Sequence, residues 1–103
     1  MKKNLTNHAA PVEDLCAVLL ALEDPQQAAS FLSDLCTPTE VAALADRWHA
    51  ARLLSQGFSQ RDVASRTGVA LGTVTRVAKA LKSGRGGYAA MLQKLKDMRA
   101  AAA

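Results

Sequence analysis

The chain has 103 residues, one domain's length, with half of them hydrophobic, aromatics at 4% and a formal charge of +4. Twenty-one alanines and no isoleucine leave few of the β-branched and aromatic residues that strands favour, which excludes an all-β fold. The apolar share is too high for a disordered or collagen-like chain, so an all-α fold of short helices around a thin core is expected, with self-association supplying missing burial.

Residues 1–10 are polar without periodicity and read as a loose arm. Apolar residues at Val12, Leu15, Cys16, Leu19, Leu20 and Leu22 recur at helical spacing and predict a first helix over 11–23. Asp24-Pro25 then supplies a cap and a proline at the first helical position, opening a second helix, 25–36, with Ala28, Phe31, Leu32 and Leu35 on one face. Thr37-Pro38-Thr39-Glu40 is a capping box: the Thr37 hydroxyl and the Glu40 carboxylate can each take the other's backbone N–H. It opens a longer helix whose inward stripe is Val41, Leu44, Ala45, Trp48 and Ala51, ended by Gly57. Ser59 caps a short helix, Gln60 to Thr67, with Asp62 as the reciprocal partner, and Gly68 stops it. A further helix runs from about Leu71 to Ser83 with Val74, Val77, Ala78 and Leu81 inward. After a glycine loop, Tyr88, Met91, Leu92, Leu95 and Met98 mark a sixth helix, followed by a frayed tail at 99–103. Six helices and no strand define the fold class.

The modest net charge hides a separation. Residues 1–40 carry two basic and six acidic side chains, whereas residues 41–103 carry eleven basic and three acidic ones. Between 61 and 85, Arg61, Arg66, Arg76, Lys79, Lys82 and Arg85 face Asp62 alone, the electrostatic footprint of a polyanion binder. Cys16 and Cys36 lie in apolar runs without a CxxC pair and read as buried free thiols of a reducing compartment. With His8 and His49 they have no metal-site spacing, so no metal or cofactor is expected. The longest apolar run, Cys16 to Leu22, is far shorter than the roughly 20 residues of a membrane span, and a cytoplasmic location is expected.

The most informative segment is 59–82, SQRDVASRTGVALGTVTRVAKALK. A helix-turn-helix requires a small residue where its helices cross, a residue tolerant of positive φ at the turn, and apolar contacts around both. Ala64, Gly68, Val63, Val69, Val74 and Val77 meet those demands, and Thr67 stands where a larger apolar residue is usual. The outward face of the second helix then holds Gly72, Thr73, Thr75, Arg76 and Lys79 without an acidic residue. Glycine permits close approach, threonine hydroxyls bond phosphates or bases, and the arginine fork fits guanine or phosphate. Gln60 and Leu71 belong to the same DNA-facing set, and Arg61, Arg66 and Lys82 are placed to reach the flanking backbone.

The stretch LCTPTEVAALADRWHAARLLSQGFSQRDVASRTGVALGTVTRV resembles the Trp repressor superfamily, and more closely its YerC/YecD branch, to which the GRGGY loop at 84–88 is similar. The resemblance spans about residues 12–98. It implies an intertwined homodimer, with 11–23 and 25–36 interlocking with a partner chain, that binds palindromic operators in successive major grooves. By the same resemblance, Thr37, Arg47 and Arg76 match positions that hold the amino-acid corepressor. Val77 stands where that repressor has a glycine leaving room for the indole, and Ala80 replaces a serine, so tryptophan is not expected as corepressor.

The expected function is a sequence-specific DNA-binding transcription regulator, a repressor, reading the major groove of double-stranded DNA with helix 71–82 and associated with the nucleoid when bound. The rival from another class is a protein-interaction module that keeps the helix-turn-helix scaffold without binding DNA. An enzyme is not expected: no nucleophile–base pair, metal set or phosphate loop is present, and GRGGYA joins two helices with no strand before it.

Overall fold

A computed structural model of the chain describes residues 8–102. The expected arm falls mostly in 1–7, outside the described residues, while its last two residues, Ala9 and Ala10, already belong to a helix. Six helices follow in order: α1 Ala9–Leu20, α2 Pro25–Leu35, α3 Pro38–Ser55, α4 Gln60–Thr67, α5 Leu71–Ser83 and α6 Gly87–Ala102. No strand occurs among the described residues, and the fold class is all-α. The tail is the main departure in bounds. Helix α6 continues through Ala102 where fraying is expected from 99, because alanine has the highest intrinsic helix propensity and nothing in the run breaks the turn. Ala103 lies outside the described residues.

The chain divides into two compact units, with the boundary after Val41. In the first, local caps do the organising. Asp24 takes the Gln27 N–H at 2.8 Å, with Pro25 at the first helical position, and the Gln27 side chain accepts the Glu23 N–H at 2.7 Å. The Thr37–Glu40 box closes in both directions, at 2.8 and 3.1 Å. No residue of α1 or α2 is buried. Val12, Val18, Leu19 and Leu35 are 43–53% exposed, and Leu20 is 88% exposed. The cysteines differ accordingly from the expected buried thiols: Cys16 is exposed and Cys36 only half-buried, because the apolar faces that carry them are not covered.

The second unit holds the core, in which Ala50 and Ala51 of α3 meet Val63, Val69, Val74 and Val77. Leu53, Leu54, Phe58, Ala64, Leu81 and Tyr88 pack around that cluster half-buried. Helix α3 ends in a Schellman arrangement, with Gly57 at φ +99° while its N–H bonds Leu54 and that of Phe58 bonds Leu53. The inward stripe expected of α3 is only partly right. Ala51 is buried with Ala50 beside it, but Leu44 and Ala45 are exposed, and Trp48 is only half-buried. Its indole instead stacks on Tyr88, centroids 6.5 Å apart and planes at 17°, joining α3 to α6.

Candidate nucleic-acid interface

The helix-turn-helix is built from signals within a few residues of each other. Ser59 accepts the Asp62 N–H at 3.1 Å and starts α4. The reciprocal bond expected from the Asp62 carboxylate is not made, as aspartate is one methylene shorter than the glutamate that closes the box at Thr37. Gly68 ends α4 in the left-handed region, φ +76°, and its N–H returns to the Ala64 carbonyl. The side chain at 67 has a role that the sequence pattern does not disclose. Thr67 donates its hydroxyl to the Val63 carbonyl at 2.7 Å and accepts the Val69 N–H at 3.1 Å, so one half-buried oxygen ties the last turn of α4 to the connection. The hydroxyl-to-N–H contact two residues on is a known habit of threonine, and Thr67-Gly68-Val69 is the signal that could have found it.

Burial of Val74 and Val77, at 0% and 2% exposure, fixes the rotation of α5. At 100° per residue the opposite side then carries Gly72, Arg76 and Lys79, all exposed. Thr75 and Lys82 occupy the flank toward the start of α4 and are exposed as well. Across that flank the Thr75 hydroxyl donates to Gln60 Oε1 at 2.8 Å. Gln60, Thr75, Lys79 and Lys82 thereby line one groove, floored by Leu54, Phe58 and Leu81. Four of the residues expected to meet DNA are brought together there, with no carboxylate in the lining.

The others lie around this centre. Arg61 is exposed in the first turn of α4, and Leu71 and Gly72 open α5, Leu71 at 45% exposure. A Cβ at Gly72 would meet nothing within 4 Å, which leaves open space in front of the first turn. Thr73 departs from the outward set: it sits on the flank opposite Thr75 and is half-buried. Arg66 lies over the Phe58 ring, 4.4 Å from guanidinium carbon to centroid, a cation–π contact for which the sequence has no periodic signal.

The residues matched to a corepressor site are otherwise occupied or exposed. The Thr37 hydroxyl caps α3. Arg47 and Arg76 are exposed, and Val77 belongs to the buried cluster, so its side chain fills the space a glycine there would leave. Ala80 borders a shallow apolar cleft with Trp48, Gly84, Arg85, Gly87, Tyr88 and Met91. Among the described residues no group of three His, Cys, Asp or Glu side chains could hold a metal ion, and no helix is long and apolar enough to cross a membrane.

An all-helical chain whose fourth and fifth helices form a helix-turn-helix with a basic outward face is, in class, a helix-turn-helix protein of the kind found in regulators. The family model for the Trp repressor protein matches residues 10–96. The uncharacterised protein YerC of Bacillus subtilis (strain 168) is 31% identical over 86 residues, covering 84% of this chain and 83% of that protein. A TrpR-like protein from Eubacterium eligens superposes with a TM-score of 0.81 at 31% identity, over 90% of this chain and 96% of the other. A candidate Trp repressor from Staphylococcus aureus does so with a TM-score of 0.80 at 28% identity, over 84% and 87%. This chain belongs to the Trp repressor family, on its YerC branch.

Proposed function

We propose that the chain is a sequence-specific DNA-binding regulator of transcription, a cytoplasmic repressor that enters the major groove with α5 and works as a homodimer through its N-terminal helices. The observation that carries the reading is the rotation of α5. With Val74 and Val77 in the core, Gly72, Arg76 and Lys79 face away from it, beside a groove that adds Gln60, Thr75 and Lys82. Arg61 supplies a further positive charge at the start of α4. In a two-fold dimer the recognition helices would read half-sites one helical turn, about 34 Å, apart. The apolar side chains exposed on α1 and α2 support pairing with a second copy. Tryptophan is not the effector in this reading, because Val77 fills its place.

The test is a fluorescence-anisotropy titration on random duplex and on duplexes selected from a randomised pool, over a range of salt. Affinity is expected to fall linearly in log–log form with a slope of roughly −0.9 per phosphate neutralised. Arg76→Ala is expected to weaken the selected duplex by about 1–3 kcal/mol, and adding Lys79→Ala to flatten the salt slope by about one more contact. No binding at any salt, with a stable protein partner recovered instead, would overturn the reading in favour of an interaction module.

A further inference from the structure

We propose that Gln60 and Thr75 act as one recognition unit, in which Gln60 is a positioning residue that turns Thr75 into a reader of a base amino group. The inference rests on the DNA-binding reading above and deepens it. Gln60 opens α4 and Thr75 lies in the middle of α5, fifteen residues later, yet the Thr75 hydroxyl donates to Gln60 Oε1 at 2.8 Å, with both residues exposed. A threonine hydroxyl has one proton and two lone pairs. With the proton held by Gln60, the oxygen turned toward solvent can only accept. Phosphate oxygens are acceptors as well and cannot satisfy it. In the major groove the donors are the exocyclic amines, cytosine N4 and adenine N6.

Gln60 changes its own chemistry in the same contact. A glutamine that reads adenine uses its carbonyl and its amide together. Here Oε1 already accepts from Thr75, which leaves the Nε2 amide as the outward donor of the unit, next to Lys79 and Lys82 in the groove. The unit therefore holds the Thr75 oxygen as a fixed acceptor, with the Gln60 carbonyl engaged and unable to pair with adenine in the two-bond manner. Such an arrangement lets a residue of α4 set a base preference that is read from α5.

The experiment compares the full-length protein with Thr75→Val, Thr75→Ser, Gln60→Ala and the Gln60→Ala/Thr75→Val double variant. Each is titrated with the selected duplex, with its single-base variants and with random duplex, and far-UV circular dichroism and melting confirm the fold. Thr75→Val is expected to lose about tenfold or more on the selected duplex and to relax the preference at one position that carries cytosine or adenine, while random duplex is bound as before. Gln60→Ala is expected to relax the same position, the double variant to lose no more than the larger single loss, and Thr75→Ser to restore the preference. Losses that simply multiply in the double variant would overturn the coupling, and equal losses on every sequence would make Thr75 a phosphate contact. If the unmodified protein binds no duplex, the DNA reading fails and this inference with it; selective binding with multiplying losses sinks the inference alone.

Discussion

Residues 8–41 form two helices and the capped start of a third with no buried side chain, whereas residues 42–102 gather six buried side chains into one cluster. The N-terminal stretch is the more apolar in appearance, with leucines and valines in helical register, and Leu20 stands 88% exposed. The C-terminal core is made of two alanines and four valines. The contrast teaches that helix formation and burial are separate achievements. Asp24, Thr37 and Glu40 satisfy orphan N–H groups locally, with no need of a tertiary partner. In the helix-turn-helix, small β-branched side chains at close spacing exclude water from a cluster that the same chain completes.

The sharpest way to break this contrast is to put a charge in the cluster. Val74→Asp would strand an unpaired carboxylate at a fully buried position and is expected to destabilise by at least about 3 kcal/mol, read as loss of cooperative melting by circular dichroism. A well-folded variant would mean that the valine cluster does not organise this unit. Next in size is Leu19→Glu. If a second copy covers α1, it is expected to remove about 1.5–3 kcal/mol of stability, with a melting temperature that drops further on dilution. Melting independent of protein concentration would leave that face to solvent and remove the homodimer from the proposal. The smallest effect is expected from Thr37→Ala, about 1 kcal/mol in urea unfolding, since one cap bond is lost at an exposed helix start. A loss several times larger would show that Thr37 does more than cap.

Much of the recognition segment was legible because its signals are local. Ser59, Gly68 and the glycine at 84 bound α4 and α5 where the spacing predicts, and the valines expected inside are inside. What escaped depends on distant neighbours. Periodicity marks Leu44 and Leu19 as members of apolar faces, but it cannot say whether one chain covers them, and both are exposed. Arg66 reads as a charge for DNA until Phe58, eight residues earlier, is seen beneath its guanidinium. The Gln60–Thr75 bond has no sequence signature, for a separation of fifteen residues corresponds to no helical contact within one element. Thr73, by contrast, was within reach of the sequence: it precedes Val77 by one turn, so the inward valines already turn it toward the half-buried flank.

Thr67 carries a warning for protein engineering. A redesign that moves this chain toward the commoner helix-turn-helix pattern would exchange the threonine for a bulkier alkyl side chain and score the change as an improvement in packing. The hydroxyl it discards holds the Val63 carbonyl and the Val69 N–H on either side of Gly68. The averaged residue would thus loosen the bend between the two helices while filling the space beneath it. Family averages are safest where a position acts through volume, and least safe where a family member has substituted bonding for bulk.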